Sequence, residues 1–193
     1  EEVSRQPGAP FIAAQSSRGL FVQSANVTTV AALVPDGGAA AGLNAVLTET
    51  ERVVRNGFLQ SELDREKLGS QQYLDQALLE KDKSPSGPLA DELVRHVVSD
   101  EPVPGIVYEQ AMSARFLPEI SLAEINALAK TWLPPQNRVV AVSAPARPGL
   151  ALPTQTVLAG VIDTVNRATI PAYVDRTRSK PLLASAPTPG RVV

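Results

Sequence analysis

Residues 43–98 read LNAVLTETERVVRNGFLQSELDREKLGSQQYLDQALLEKDKSPSGPLADELVRHVV, and their pattern decides the fold. Leu43, Val46, Leu47, Thr50 and Val54 recur at three-and-four spacing, so a helix over 40–55 buries one apolar face. Asn56-Gly57 ends it, with Gly57 supplying the left-handed backbone that closes a helix. A second helix starts at once. Phe58 and Leu63 are spaced as a hydrophobic staple, and Glu62 stands where a capping box needs its acid. Leu59, at the cap itself, has no side-chain oxygen, which costs about 1 kcal/mol relative to Ser or Thr. Leu63, Leu74 and Leu78 give this helix a weaker apolar line, interrupted by Lys67 and Ser70. Ser84-Pro85-Ser86-Gly87-Pro88 is a hinge, and Pro88 fits the first turn of a third helix. There Leu89, Leu93 and Val97 share one face, and Asp91 and Arg95 form an i,i+4 pair on the other.

Two or three strands precede this helical run. Phe11-Ile12-Ala13-Ala14 and Leu20-Phe21-Val22 flank Ser16-Ser17-Arg18-Gly19, the pattern of two short strands around a glycine turn. β-Branched residues over 27–34 predict another strand, stopped by Pro35-Asp36-Gly37-Gly38. On the far side, Pro102 and Pro104 mark a loop before a short helix over 106–117, which Pro118 ends. Ser121-Leu122-Ala123-Glu124 is a complete capping box with Ile120 and Ile125 as its staple. It opens a helix to Trp132 that Pro134-Pro135 stops. Arg138-Val139-Val140-Ala141-Val142 does not alternate, and predicts a strand buried on both faces that joins the N-terminal sheet.

The expectation is one α/β domain of the α+β type over residues 1–145, a sheet packed by a run of about five helices. Seven of the 17 prolines fall at or after Pro145, and the helical candidate there is 154–166. Residues 182–193 are rich in Pro, Ala and Ser without a period. Residues 146–193 therefore read as an extended connector lying over the surface.

Composition narrows the function classes. A length of 193 residues is enough for a proper core, and with aromatics at 4% the aliphatic residues must fill it. A net charge of −2 gives no footprint for nucleic acid or a membrane surface. The absence of cysteine excludes disulfides, thiolate zinc sites and a thiol nucleophile. No run approaches the roughly 20 apolar residues that span a bilayer. The start, Glu1-Glu2-Val3-Ser4-Arg5-Gln6-Pro7-Gly8, has neither the basic start nor the apolar stretch of a signal peptide and does not begin with Met. The chain is expected to start in the middle of a longer one.

The titratable residues do not assemble a chemistry. A catalytic zinc needs about three nitrogen or oxygen ligands, commonly paired histidines, and the chain has only His96. His96, four residues after Glu92, reads as a partly buried helix residue beside a carboxylate. It also offers itself as the base of a Ser-His-Asp triad, but Gly-x-Ser-x-Gly is absent and Ser86-Gly87 belongs to a hinge. Glu62, Asp64 and Glu66 are spaced along a solvated helix face, with no apolar setting to tune them for proton transfer. Asp36-Gly37-Gly38 before a helix is read as a turn rather than an anion site. Basic residues from Arg167 to Lys180 have only Tyr173 among them for stacking on a base. No catalytic, cofactor-binding or metal-ligating residue is assigned.

The segments do, in their order, resemble the pitrilysin/insulinase family of zinc metallopeptidases, the inverzincin type. The matching residues begin with Leu47-Thr48-Glu49, Glu51-Arg52-Val53, Asn56-Gly57-Phe58 and Glu62-Leu63-Asp64-Arg65. Glu80-Lys81-Asp82-Lys83, Leu89-Ala90-Asp91-Glu92 and Val94-Arg95-His96 follow. Pro102-Val103-Pro104-Gly105-Ile106, Phe116-Leu117-Pro118, Ser121-Leu122, Glu124-Ile125-Asn126 and Asn137-Arg138-Val139-Val140 complete the run. Such peptidases are built from two related halves, each a pair of α/β domains, that close on a peptide. The family's zinc ligands and general base lie in its first domain, on HxxEH and a later Glu, and neither is present here. Leu59 departs from the family's usual Thr or Ser cap.

The resemblance implies most of the non-catalytic second domain of the first half, followed by the connector to the second half. Pro189-Gly190-Arg191-Val192-Val193 would lead into the next domain's opening strand. It also implies zinc in the parent protein and none on this fragment, with a peptide or unfolded protein as substrate. The expected partners are the other domains of the same parent chain, and neither nucleic acid nor a membrane span. The expected location is periplasmic or otherwise exported bacterial, with the cytoplasm not excluded. Two rivals stand beside this reading: a structural or binding subunit of the same family without peptidase activity, and a free-standing helical adaptor.

Overall fold

The computed structural model describes residues 7–22 and 25–175. β1 (Ala13–Val22) and β2 (Ala25–Leu33) pair antiparallel, with Ala13 opposite Leu33 and Gly19 opposite Val27. The chain turns through residues 35–38 into α1 (Ala39–Asn56), the helix against which β2, α5 and α6 pack. α1 approaches the end of β2 closely. Gly42 lies against the Val34 side chain, where an added Cβ would collide, so this position demands glycine.

α2 (Gln60–Leu79), α3 (Ser86–Ser99) and α4 (Ile106–Phe116) follow. α4 runs back along α2. Gln110 Nε2 donates to Asp75 Oδ1 at 2.8 Å, and Lys67 Nζ donates to the carbonyls of Pro118 and Ile120 at 3.1 and 2.6 Å. α5 (Leu122–Trp132) returns to α1, and α6 (Gln155–Arg167) packs along it. The fold is α+β as expected. Among the described residues it comprises six helices and a two-stranded antiparallel sheet.

The junction of α1 and α2 fixes α5. Gly57 adopts φ 77° and ψ 179°, a region open essentially to glycine alone and distinct from the left-handed helical closure expected. The Phe58 N–H donates to Asn126 Oδ1 at 2.8 Å, and a Cβ on Gly57 would sit 2.7 Å from Asn126 Nδ2. The half-formed cap at Leu59 behaves as its chemistry dictates. Glu62 Oε2 accepts from the Leu59 N–H at 2.8 Å, and Leu59 offers nothing in return. Ser121 and Glu124, by contrast, satisfy each other's backbone N–H at 3.3 and 2.8 Å.

Three sequence expectations are corrected. Residues 13–22 form one continuous strand, not two around a turn. Ser16-Ser17-Arg18-Gly19 lies flat opposite 27–30, and every position of β1 is exposed, so nothing demands apolar residues there. Residues 138–142 make no strand pairing among the described residues. Val139 is 93% exposed, while Val140 and Val142 are half-buried, so one face rests on the protein and the backbone lacks a partner strand. Arg95 pairs with Glu101 at 3.1 Å instead of Asp91, because Asp100 takes a left-handed conformation (φ 55°) that folds the chain back under the helix.

Residues 155–175 are held against α1 by a row of donors. Arg55 Nη1 donates to Ala168 O at 2.8 Å and Arg55 Nη2 to Asn166 O at 3.1 Å. Asn56 Nδ2 donates to Ile170 O at 3.3 Å, and Arg52 Nη1 donates to Pro171 O. The Arg55 guanidinium meets the orphan carbonyls and negative end of α6, where a cation is most favourable. Val165 is 2% exposed beneath them, a burial worth about 1.5–3 kcal/mol. At the far end, Arg65 Nη1 pairs with Asp175 at 2.6 Å.

Gly57→Ala is expected to lower the unfolding free energy by about 1–3 kcal/mol in urea denaturation, because its backbone region and the Asn126 contact both exclude a Cβ. Arg55→Ala is expected to raise hydrogen exchange across α6 first and leave α2 and α4 near wild type. Uniform loss of protection would show that α6 is not held locally by this side chain.

Candidate functional site

A concavity lies where the inner face of the hairpin meets α1 and α5. Its volume is about 490 Å³. Phe11, Val46, Phe58, Ile125 and Trp132 give it an apolar lining, as the periodicities of α1 and α5 require when their apolar faces converge. Two charged side chains reach it. Arg18 sets its guanidinium 4.8 Å from the Trp132 ring centroid, a cation–π contact at the rim. Glu49 is gripped by Arg52, with both carboxylate oxygens accepting at 3.0 and 3.1 Å. That hydrogen bond, helped by the charge of Glu49, raises the Arg52 pKa above its ordinary value and outweighs the opposing effect of burial. The groove is fit to receive apolar side chains. It holds no nucleophile–base pair.

A network that the sequence did not announce lies beside it. Glu51 is the one buried charged residue among the described residues, at 8% exposure. It pairs with Arg55 at 3.2 Å within the helix and with Arg138 at 3.3 Å, 87 residues away. Arg138 also donates to Pro134 O at 2.9 Å, which fixes the exit from α5. An i,i+4 Glu-Arg spacing was the available signal, and it does not distinguish a buried pair from a surface one.

The titratable residues weighed from sequence are dispersed. His96 is exposed, not partly buried as expected, and its Nδ1 lies 2.7 Å from Glu101 O. Glu62 caps α2, and Asp64 accepts from Gln60 on the surface. Ser86 opens α3, and Asp36 in the strand-to-helix turn pairs with Arg147. Arg167 pairs with Asp163 at 3.8 Å, and Tyr173 is described, but the basic residues 176–180 lie outside the described residues. No group of three His, Cys, Asp or Glu side chains is placed to hold a metal among the described residues. This donor set does not fit a catalytic zinc centre. No helix among the described residues is long and apolar enough to cross a membrane.

No family model matches the chain. Over 141 residues, 73% of its length, it is 24% identical to the zinc protease PQQL-like of Arabidopsis thaliana, of which it spans 15%. Its fold matches the crystal structure of the first half of the periplasmic protease PqqL from Escherichia coli with a TM-score of 0.68 and 15% identity. That match covers 86% of this chain and 36% of that one. The structure of PqqL from the same organism also matches at 0.68, with 16% identity, over 90% of this chain and 19% of that one. The chain thus corresponds to a minor part of each protein it resembles. It is homologous to part of a zinc protease and shares the fold of the first half of PqqL, which bears out the pitrilysin-type resemblance carried by its ordered motifs.

The clearest electrostatic dependence is at α5. The Ser121 backbone N–H, then its hydroxyl, hold the Glu124 carboxyl below its ordinary pKa. A carboxylate with a depressed folded-state pKa stabilises the fold above the unfolded value, about 4.3, and that contribution is lost as pH falls through the folded value. Below about pH 4, protection at the start of α5 is expected to weaken, and Glu124→Gln is expected to remove this pH dependence. An NMR titration showing Glu124 at or above the ordinary value would contradict the cap.

Proposed function

We propose that this chain is a non-catalytic domain of a zinc metalloendopeptidase, and that it forms part of the wall of a chamber holding an extended peptide. Residues 1–145 are the domain and 146–193 the Pro-rich connector toward the second half. Peptide-bond hydrolysis belongs to the rest of the parent chain, where zinc activates water. The observation that carries this reading is the zinc-protease similarity over 141 residues of a chain whose single histidine is exposed and belongs to no group of three metal-ligand side chains among the described residues. The exposed hairpin also supports it. Its outer edges and the side chains of Phe21 and Leu33 face solvent, a state that β structure usually manages by covering the edge. Further polypeptide of the parent is the natural cover. An exported, periplasmic location accompanies the proposal, since the two PqqL structures that match the fold are of a periplasmic protease.

The test compares the chain with its full-length parent. The purified 193-residue chain is expected to bind no stoichiometric zinc and to leave casein uncut in added zinc. The parent is expected to contain zinc and to cleave casein. Turnover by the isolated chain would overturn the assignment. A parent that is metal-free and inert would sink its peptidase activity and favour the structural or binding subunit.

A further inference from the structure

α6 and residues 168–175 lie on the protein as a strap. Val165 and Ile170 are its only buried side chains, with Leu158, Val161 and Ile162 half-buried. The rest of the attachment is polar and falls into two clasps. At the far end, Ser61 Oγ and Arg65 Nη1 both donate to Asp175 Oδ2, at 2.5 and 2.6 Å. Nearer α6, Arg52, Arg55 and Asn56 donate to backbone carbonyls between Val165 and Pro171. A segment with so few buried side chains belongs to the low end of local stability, where it can lift while the rest of the chain stays folded.

Both arginines of the second clasp are also held from the groove side. Arg52 gives Nη1 to Pro171 O, and Nε and Nη2 to the two oxygens of Glu49, which lines the groove. Arg55 gives Nη1 and Nη2 to Ala168 O and Asn166 O, and Nε to Glu51 Oε2 at 3.2 Å. The other oxygen of Glu51 accepts from Arg138 Nη2 at 3.3 Å, and Arg138 Nε donates to Pro134 O at 2.9 Å. Pro134 follows directly on Trp132 and Leu133, which line the same groove. A guanidinium is a planar fork, so it cannot turn at one end and keep its bonds at the other. Glu51 is buried and must keep its cations, so it moves with them.

We propose that the strap is a conformational element whose position is relayed to the groove, through Arg52 to Glu49 and through Arg55, Glu51 and Arg138 to Pro134. Lifting the strap changes the groove lining, and by linkage a groove held in its present shape favours the docked strap by the same factor. The relay lies wholly within this chain, so it goes beyond the chamber-wall reading and stands or falls apart from it.

Trp132 is the single tryptophan, and its fluorescence reads the groove without a label. Val165→Ala with Ile170→Ala removes the buried side chains of the strap and leaves every relay residue in place. In the full 193-residue chain, this variant is expected to lower hydrogen-exchange protection over 155–175 by about tenfold, with α2 and α4 near wild type. Acrylamide quenching of Trp132 is expected to change with it by about twofold. Glu49→Gln with Arg138→Gln cuts both relays at the groove end, and in that background the strap variant is expected to leave the quenching unmoved. Unchanged quenching after the strap has lost protection overturns the proposal, as does an equal response with both relays cut. Where the strap variant loses protection throughout the chain, Asp175→Asn decides, because it loosens only the far clasp. Lower protection over 168–175 with a smaller quenching change of the same sign is then expected, and lower protection without that change overturns the relay.

Discussion

Glu51 is a carboxylate taken out of water in the middle of α1, and the protein has to bring positive charge to it. One guanidinium comes from the next turn of the same helix and the other from beyond α5. Leaving such a group unpaired costs several kcal/mol, so the two arginines are constrained, and what they touch is constrained with them. Arg55 spends its remaining donors on the carbonyls at the end of α6. Arg138 ties the exit of α5 to the same carboxylate. One buried acid thereby couples α1, α5 and α6, three elements far apart in sequence.

The surfaces around this network are differently built. The hairpin lies over α1 but leaves both outer edges open, and between it and α5 runs an apolar groove crossed at the rim by Arg18 and Trp132. Segment 138–142 alternates in exposure from Val139 onward but pairs with no strand among the described residues. α3 turns its apolar half outward. On the function proposed above, these surfaces face further polypeptide of a parent chain.

Much of the helical framework was legible in the residues because its signals are local. Ser121 and Glu124 are three residues apart and cap each other whatever surrounds them. The apolar spacing from Leu43 to Val54 needs only a helix to make a face, and Thr154 caps α6 through the Val157 N–H at 3.3 Å. The misread parts depend on distant partners. The residues 138–142 were apolar enough for a buried strand, but a strand exists only where another backbone pairs with it. Arg95 faced a suitable acid at Asp91 and took Glu101 instead, because the left-handed turn at Asp100 brought it closer.

The candidate site divides in the same way. Its apolar lining followed from the periodicity of α1 and α5, but their approach rests on a distant contact, Asn126 of α5 with the Gly57 junction. The sequence by itself determined where helices begin and end, that no thiol or paired histidines are available, and which family the order of segments resembles. Only the tertiary structure decided which charges meet and which apolar faces stay open. Capping and periodicity act over three or four residues, whereas burial, ion pairing and strand pairing depend on whatever the rest of the chain brings alongside.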